Sequence, residues 1–184
     1  MGPLAARDNR GMSTTPEHRQ AWSVAPGAVG STEAASLLRE YYTEVSDRYY
    51  QLHCGRTSTP AEIEQGLAGS PSDDLAPPAG VFLLGRYGGV PAACAGLRVL
   101  DPGTAELTRV FVRPALRGMG GGSRLLAAVD DAARDMGAER IVLDTRLDLV
   151  EARALYLKHG YAEIPALSDR PYAEIWYAKQ LGSR

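Results

Sequence analysis

The sequence predicts an α+β domain whose central sheet is mixed, mostly antiparallel and flanked by helices. Three strand-like runs lie between Val81 and Val112, and the turn signals "YGG" and "DPG" separate them, which indicates an antiparallel meander. Apolar residues recur at helical spacing before and after this stretch, in "STEAASLLREYYTEVSDRYYQL" and "SRLLAAVDDAARDM". The predicted order of elements is β-α-α-β-β-β-α-β-α-β-β.

Caps and turns predict the first three elements. "AWSV" is an apolar run typical of a short strand, and "APGAVG" then predicts a turn. Ser31 or Thr32 has the side chain that an N-cap needs, which predicts the start of a long helix. Thr59 as cap and Pro60 at the first helical position predict a second, shorter helix that Gly69 ends.

The second half of the chain predicts a crossover and two closing strands. A helix is expected from Ser123 to Met136, ended by Gly137, and the strand "AERIVLDT" follows it. Because a helix connects them, this strand should lie parallel to "ELTRVFV". The run "LVEARALYLKHG" then predicts a helix with Gly160 as its C-cap, and "YAEIPA" and "YAEIWYAKQL" predict the last strands.

Length and composition favour one soluble domain. A chain of 184 residues is long enough for one well-filled core, and 45% hydrophobic with 23% charged residues is typical of globular proteins. No apolar run approaches the roughly 20 residues that span a bilayer. Residues 1–20 have few large apolar side chains, so we expect a disordered leader there and a single domain over residues 21–184.

Charge and cysteine content argue against several classes of partner. A net charge of -2 lacks the basic surface that nucleic acids and anionic membranes select, so neither is an expected partner. Cys54 and Cys94 have no Cys-x-x-Cys spacing, and no metal site is predicted. Few cysteines and the lack of an apolar signal segment predict a cytoplasmic location.

A cluster of glycines follows the predicted fourth strand, in "VFVRPALRGMGGGSRLL". A glycine-rich turn into a helix exposes unpaired N–H groups, which suits an anion such as a phosphate. A P-loop would need a lysine that is absent here, and the dinucleotide fingerprint would need glycine where Ser123 stands. The pattern that remains is Arg/Gln-x-x-Gly-x-Gly/Ala, which Arg117, Gly120 and Gly122 match.

With these residues the chain resembles the GNAT superfamily of N-acetyltransferases. "ELTRVFVRPALRGMGGGSRLL" is similar to the central motif of that family, "EARALYLKHGY" to a downstream motif, and the order of elements from Ala21 to Leu181 to the family fold. The resemblance implies that acetyl-CoA is the acyl donor and that the loop holds its pyrophosphate. The residues implied for the pyrophosphate are Arg117, Gly118, Met119, Gly120, Gly121, Gly122 and Ser123.

The resemblance also assigns roles in the reaction. The backbone of Val110, Phe111 and Val112 would bind the pantetheine arm and the thioester carbonyl. Tyr156 would protonate the departing thiolate, and Glu106 would act as the general base, which an alkyl ammonium of pKa near 10 requires before it can attack. Each has a plainer interpretation: the two valines as core, the tyrosine as helix packing, the glutamate as a strand-end residue.

Two positions depart from the family pattern, and one histidine is set aside. Leu149 stands where the family often has an asparagine, and Gly121 stands where it usually has a bulky aliphatic residue. These departures predict an altered cofactor affinity and a more flexible loop. His159 lies beside Gly160, so it is interpreted as a surface histidine at a helix end rather than as a base.

The acceptor is left open in its chemistry. In the family the acceptor site is bounded by the first two helices and the loop between the last two strands. The tyrosines implied there are Tyr41, Tyr42, Tyr49, Tyr50 and Tyr172. Carboxylates that could bind a cation are Asp73, Asp74, Asp169 and Glu174, and cations that could bind a carboxylate are Arg98, Arg109 and Arg146.

The predicted function is acetyl-CoA-dependent N-acetyl transfer to a primary amine of a small molecule or amino-acid derivative, by direct attack on the thioester. Two alternatives remain: a protein or peptide N-acetyltransferase, and a non-catalytic acyl-CoA-binding regulatory module. Homodimerisation is common in the family and is left open.

Overall fold

The computed structural model describes residues 21–182, and the leader predicted over residues 1–20 lies outside them. The described chain forms one seven-stranded sheet and four α-helices. The strands are β1 (Trp22–Gly27), β2 (Gly80–Tyr87), β3 (Val90–Asp101), β4 (Thr104–Val112), β5 (Arg140–Thr145), β6 (Ala162–Ile164) and β7 (Ile175–Gln180). The helices are α1 (Thr32–Cys54), α2 (Pro60–Gly69), α3 (Gly121–Asp135) and α4 (Val150–Lys158).

The sheet has the strand order β1-β2-β3-β4-β5-β7-β6, and the predicted α+β architecture is confirmed. All neighbouring strands are antiparallel except β4 and β5, which are parallel as the helical crossover predicts. The helix starts also follow the sequence. Ser31 accepts a hydrogen bond from the Ala34 N–H at 3.2 Å, and Thr59 and Glu62 form a capping box at the start of α2.

Among the boundaries that differ from the predicted ones, three have a structural cause. β1 continues through the predicted turn to Gly27, because Pro26 lies on an edge strand, where a missing N–H is tolerated. α3 begins at Gly121, two residues before the expected start, since the left-handed Gly120 serves as N-cap. β7 begins only at Ile175, because the positive φ of Tyr172 interrupts the extended backbone.

Apolar side chains cover both faces of the sheet. Leu125, Leu126 and Val129 of α3 are buried against one face, and Leu37 and Leu38 of α1 are buried against the other. β4 lies between the two layers, so its residues face a helix on either side. Within residues 21–182, no helix combines the length and the apolarity that a bilayer crossing requires.

The parallel pair β4–β5 is short, and this positions the site. It runs only from Thr104 opposite Arg140 to Glu106 opposite Val142. Beyond Glu106, β4 continues to Val112 paired with β3 alone. The pairing with β3 also shifts register between Cys94 and Gly96, where Arg109 on β4 has a φ of 56°. β4 therefore leaves β5 after Glu106, and the edge of β4 beyond that residue, which includes the bulge at Arg109, is unpaired within the described sheet.

Candidate active site

The separation of β4 from β5 opens into a cleft with a volume of about 1410 Å³. α1 and the segment after α2 form one wall, and the start of α3 with α4 forms the other. The residues predicted to bind the cofactor line this cleft, except Met119. Tyr156 lines it as well, whereas Glu106 lies behind its surface.

The glycine loop, residues 118–123, shows why the chain places glycines there. Gly118 and Gly120 have φ values of 77° and 83°, which side chains with a Cβ rarely adopt. No side chain caps α3, so the N–H groups of its first turn have no intrahelical partner. A helix N-terminus of this kind attracts an anion through its free donors and its dipole.

The other two glycines allow close contacts. A Cβ on Gly121 would lie 2.4 Å from Cζ2 of Trp22, and one on Gly122 would lie 3.0 Å from Cδ2 of Leu155. The Trp22 indole also donates a hydrogen bond to the Met119 carbonyl at 2.9 Å. The indole of Trp22 on β1 thus fills the space that an aliphatic side chain at position 121 would need, and it holds the glycine loop in place.

Arg117 makes contacts within the protein that hold the glycine loop in place. Its Nε donates to the Val112 carbonyl at 2.9 Å, and its guanidinium pairs with Glu44 of α1 at 2.6 Å. Ser123 is anchored from the other side, with its hydroxyl 2.9 Å from Nε2 of His159. Burial and the nearby Lys179 and Lys158 lower the pKa of His159, which favours the neutral imidazole. Sequence reasoning missed this contact because the two residues are adjacent only in the fold.

Tyr156 is 6% exposed. Its ring packs in the core, and the residue also lines the cleft. Its ring lies 5.7 Å from that of Tyr161 and 6.2 Å from that of Tyr177. Burial raises the pKa of Tyr156 well above its ordinary value. The phenol therefore stays protonated, and the raised pKa makes it a weak acid.

Glu106 is 1% exposed and lies at the centre of a charge cluster, formed by Asp74, Arg98, Glu106, Asp144 and Arg170. Its Oε2 accepts from Nε of Arg98 at 2.6 Å, and its Oε1 accepts from Arg170, which also pairs with Asp144. Arg98 reaches Asp74 at 2.6 Å as well. Arg98, Arg170, Asp74 and Asp144 line the cleft, so the Glu106 carboxylate is covered by its partners.

These partners determine the charge state of Glu106. Burial by itself would raise the pKa of its carboxyl group, but the hydrogen bonds from Arg170 and Arg98 outweigh it and lower the pKa. A general base works best with a pKa near the working pH and with a lone pair within reach of the proton. The geometry favours a role in holding the two arginines, and the base role of Glu106 stays a prediction.

The other residues predicted for the acceptor site differ in whether they line the cleft and whether they already have partners. The tyrosines at positions 41, 42, 49, 50 and 172 all line the cleft. Several predicted charged residues are already engaged: Arg146 binds Asp148 through two hydrogen bonds of 2.8 and 2.9 Å, and Glu174 accepts from the Leu147 N–H at 2.7 Å. Asp169 is exposed and is not among the residues that line the cleft.

Comparisons with known proteins agree with this geometry. The profile of the acetyltransferase (GNAT) family matches residues 35–161. The chain is 36% identical over 90 residues to an IAA acetyltransferase of Azospirillum brasilense, covering 48% of this chain and 59% of that one. It is 38% identical over 58 residues to the aminoalkylphosphonate N-acetyltransferase of Salmonella typhimurium, covering 32% of this chain and 38% of that one.

A solved structure shows the same fold. The PaiA N-acetyltransferase of Thermoplasma acidophilum in complex with coenzyme A superposes with a TM-score of 0.65 at 15% identity, covering 87% of this chain and 99% of that one. The predicted fold and family are confirmed. With the family profile spanning most of the described residues, the chain belongs to the acetyltransferase (GNAT) family.

Proposed function

We propose that this chain is an N-acetyltransferase that moves the acetyl group of acetyl-CoA to a primary amine of a small molecule. One observation carries the proposal. The same cleft brings together the uncapped glycine loop, the unpaired edge of β4 and the neutral phenol of Tyr156. These are the parts that bind a pyrophosphate, align a thioester and protonate a leaving thiolate.

The residues present fit acetyl-CoA. The N–H groups of the glycine loop would hold the pyrophosphate, where glycines at positions 120 to 122 let it approach the backbone. The unpaired edge of β4 from Val110 to Val112 would bind the pantetheine arm as an added strand. At about 1410 Å³ the cleft exceeds the roughly 300–1,000 Å³ of common ligand sites, which leaves room for a second substrate.

The chemistry is a direct transfer. The neutral amine attacks the thioester carbonyl, the new C–N bond forms, the C–S bond breaks, the sulfur takes a proton and the nitrogen loses one. We assign the proton on sulfur to Tyr156, whose phenol is neutral. Because burial makes this phenol a weaker acid than a thiol, the transfer accompanies cleavage of the C–S bond, and the proton that the nitrogen loses restores the phenol. A backbone N–H of β4 directed at the carbonyl oxygen stabilises the charge that develops there. Holding both substrates in one cleft supplies much of the rate.

For Glu106 we propose a positioning role. Its carboxylate holds Arg98 and Arg170 at the cleft wall, where they face the acceptor. The small-molecule acceptor is supported by the relative whose name specifies an aminoalkylphosphonate. A peptide acceptor is the alternative that the same assay tests, and a cytoplasmic location is part of the proposal.

The experiment has two steps. Thermal unfolding is followed with acetyl-CoA, CoA, ATP or NAD, because a ligand that binds only the folded state raises stability by RT ln(1 + [L]/Kd). We expect both CoA species to raise the Tm and ATP and NAD to leave it nearly unchanged. Release of CoA thiol is then measured with small amines and with peptides. A Tm that does not respond to CoA overturns the proposed function, and thiol release with peptides alone overturns the acceptor class.

A further inference from the structure

Six arginines line the cleft, and one of them differs from the rest. Five pair with carboxylates: Arg48 with Glu151, Arg98 with Asp74 and Glu106, Arg117 with Glu44, Arg146 with Asp148, and Arg170 with Asp144 and Glu106. Arg109, which is half-buried, forms no ion pair with any residue from 21 to 182. Its positive charge therefore stands in the cleft without a negative partner.

The contacts of Arg109 are all with uncharged groups. Its guanidinium donates to the Ser70 carbonyl at 3.2 Å and to the Thr108 hydroxyl at 3.4 Å, and lies 5.6 Å from the ring centroid of Tyr42. Its Nε is buried and has no acceptor within the part of the chain that the structure describes. Arginine has five N–H donors, so more than half have no protein acceptor here. A partly desolvated cation in this state is costly unless a counter-charge joins it.

The backbone directs this side chain to its place. Arg109 has a φ of 56°, which is uncommon for a residue with a Cβ and stores strain that must be compensated elsewhere. It lies at the bulge of β4, and bulges re-aim side chains next to functional sites. The guanidinium consequently lies against Tyr42 of α1 and Ser70 after α2. In the sequence, Arg109 directly precedes Val110 on the unpaired edge.

We propose that the acceptor is a primary amine that also carries an anionic group, a carboxylate or a phosphonate, and that Arg109 binds this group. The proposal rests on the proposed function and names its substrate class. With the anion held at the wall formed by α1 and the segment after α2, the amine at the other end of a short molecule lies near the unpaired edge of β4. A planar guanidinium suits carboxylate and phosphonate oxygens because it donates two parallel hydrogen bonds.

Calorimetric titration of the CoA-saturated protein tests this, independently of turnover. The probes are propylamine, 3-aminopropanoate and 2-aminoethylphosphonate, which share a primary amine on a short chain and differ in the anionic group. The proteins are the parent, Arg109→Gln, Arg109→Lys and, as matched control, Arg48→Gln, which removes a cleft-lining charge that already has a carboxylate partner. Thermal unfolding of each variant confirms that it is folded.

We expect the parent to bind at least one anionic amine about ten- to a hundred-fold more tightly than propylamine, the range for hydrogen bonds between charged groups. Arg109→Gln should lose this preference, Arg109→Lys should keep part of it, and Arg48→Gln should keep it. The stronger of the two anionic probes identifies carboxylate or phosphonate. If Arg109→Gln does not fold, a preference undiminished in Arg109→Lys overturns the proposal.

Two further outcomes overturn the proposal: a parent that binds the three amines equally, and a preference that survives Arg109→Gln. Failure of the proposed function is distinct from both. A protein that binds anionic amines through Arg109 but releases no thiol from acetyl-CoA contradicts the transferase and leaves the anion site standing. If the protein acetylates propylamine and 3-aminopropanoate at equal rates, the proposed transferase activity stands and the anion site is contradicted.

Discussion

The glycine loop and the charge cluster belong to one cleft, and they are built in different ways. The glycine loop presents backbone N–H groups, and side chains from outside the loop hold it: Trp22 binds the Met119 carbonyl, Arg117 binds Val112 and Glu44, and His159 binds Ser123. The charge cluster presents side chains, with Arg98 and Arg170 arranged around the buried Glu106. The glycine loop uses donors that every residue has, and the charge cluster uses groups that only particular residues supply.

This difference separates what a fold can conserve from what it can vary. A backbone site for a phosphate depends on φ values and on close packing, so it survives side-chain changes outside those contacts. A side-chain site changes its ligand when one charged residue is exchanged. We therefore expect substitutions in the charge cluster or at Arg109 to change acceptor binding more than donor binding.

The largest expected effect is at Tyr156, which lines the same cleft. Tyr156→Phe removes the proposed proton donor, and positioned acid catalysis contributes about 100-fold or more. We expect kcat to fall about 100-fold, with the KM for acetyl-CoA changed only a few-fold. Steady-state kinetics with an identified acceptor measure both values.

Tyr161→Phe is the matched control for that change. Tyr161 is buried beside Tyr156, but its hydroxyl has no hydrogen-bond partner among the described residues and it does not line the cleft. Its removal should leave kcat unchanged. A Tyr156→Phe enzyme as fast as the Tyr161→Phe enzyme would show that the Tyr156 ring only packs.

Glu106→Gln should break the charge cluster. The change leaves two arginines around a neutral amide, and losing charge-assisted hydrogen bonds at a buried carboxylate should reduce the free energy of unfolding by about 2–3 kcal/mol. Denaturant unfolding measures it. Glu64→Gln is the control, because its pair with Arg39 is exposed on both sides and should contribute far less to the free energy of unfolding.

Acidification should reproduce part of that loss. The pKa of Glu106 is lower in the folded state than in the unfolded chain, so its contribution to stability is complete above the ordinary carboxyl pKa and disappears as the pH falls through the lowered folded pKa. In the Glu106→Gln variant, the free energy of unfolding should depend less on pH below about pH 4.5.

The pH dependence of the rate of Glu106→Gln separates two roles for Glu106. If Glu106 is a positioning residue, the substitution changes the KM for the acceptor. If Glu106 is the base, the substitution removes the acidic limb of the kcat profile.

The two regions also differ in how far the sequence predicts them. The glycine loop follows from local spacing, since Arg117, Gly120 and Gly122 lie in one short stretch between a strand and a helix. The charge cluster joins β3, β4, β5 and the segment before β7, and only the strand order brings Arg98, Asp144 and Arg170 together. Spacing along the chain carries no signal for such a cluster. The sequence therefore left a cation or an anion as equal choices for the acceptor.

The fold shows the same division. The caps of α1 and α2 are short-range features, and both helices start where Ser31 and Thr59 predict. The extension of β1 depends on its pairing with β2, and the packing of the first turn of α3 depends on the indole of Trp22 lying beside Gly121. These are contacts between segments far apart in sequence. Propensity alone does not predict them.

Gly121→Ala tests whether the glycine loop depends on close packing. The new Cβ would lie 2.4 Å from Cζ2 of Trp22, and overpacking of this kind costs about 1–3 kcal/mol. We expect lower stability and a smaller rise of Tm with CoA. Gly30→Ala is the matched control, because a Cβ there meets no atom within 4 Å. Equal unfolding free energies for the two variants would contradict the packing role of Trp22.

Trp22→Phe should have the smallest effect and should explain the previous one. It removes the indole N–H that donates to the Met119 carbonyl, a net loss of about 1 kcal/mol, together with the part of the ring nearest Gly121. Because the space then opens, Gly121→Ala should cost less in the Trp22→Phe background than in the parent, and a double-mutant cycle from denaturant unfolding measures the difference. Additive effects would mean that the loop shifts away from the indole. A smaller cost of Gly121→Ala in the Trp22→Phe background would show that the stability of the glycine loop depends on the contact between β1 and the first turn of α3.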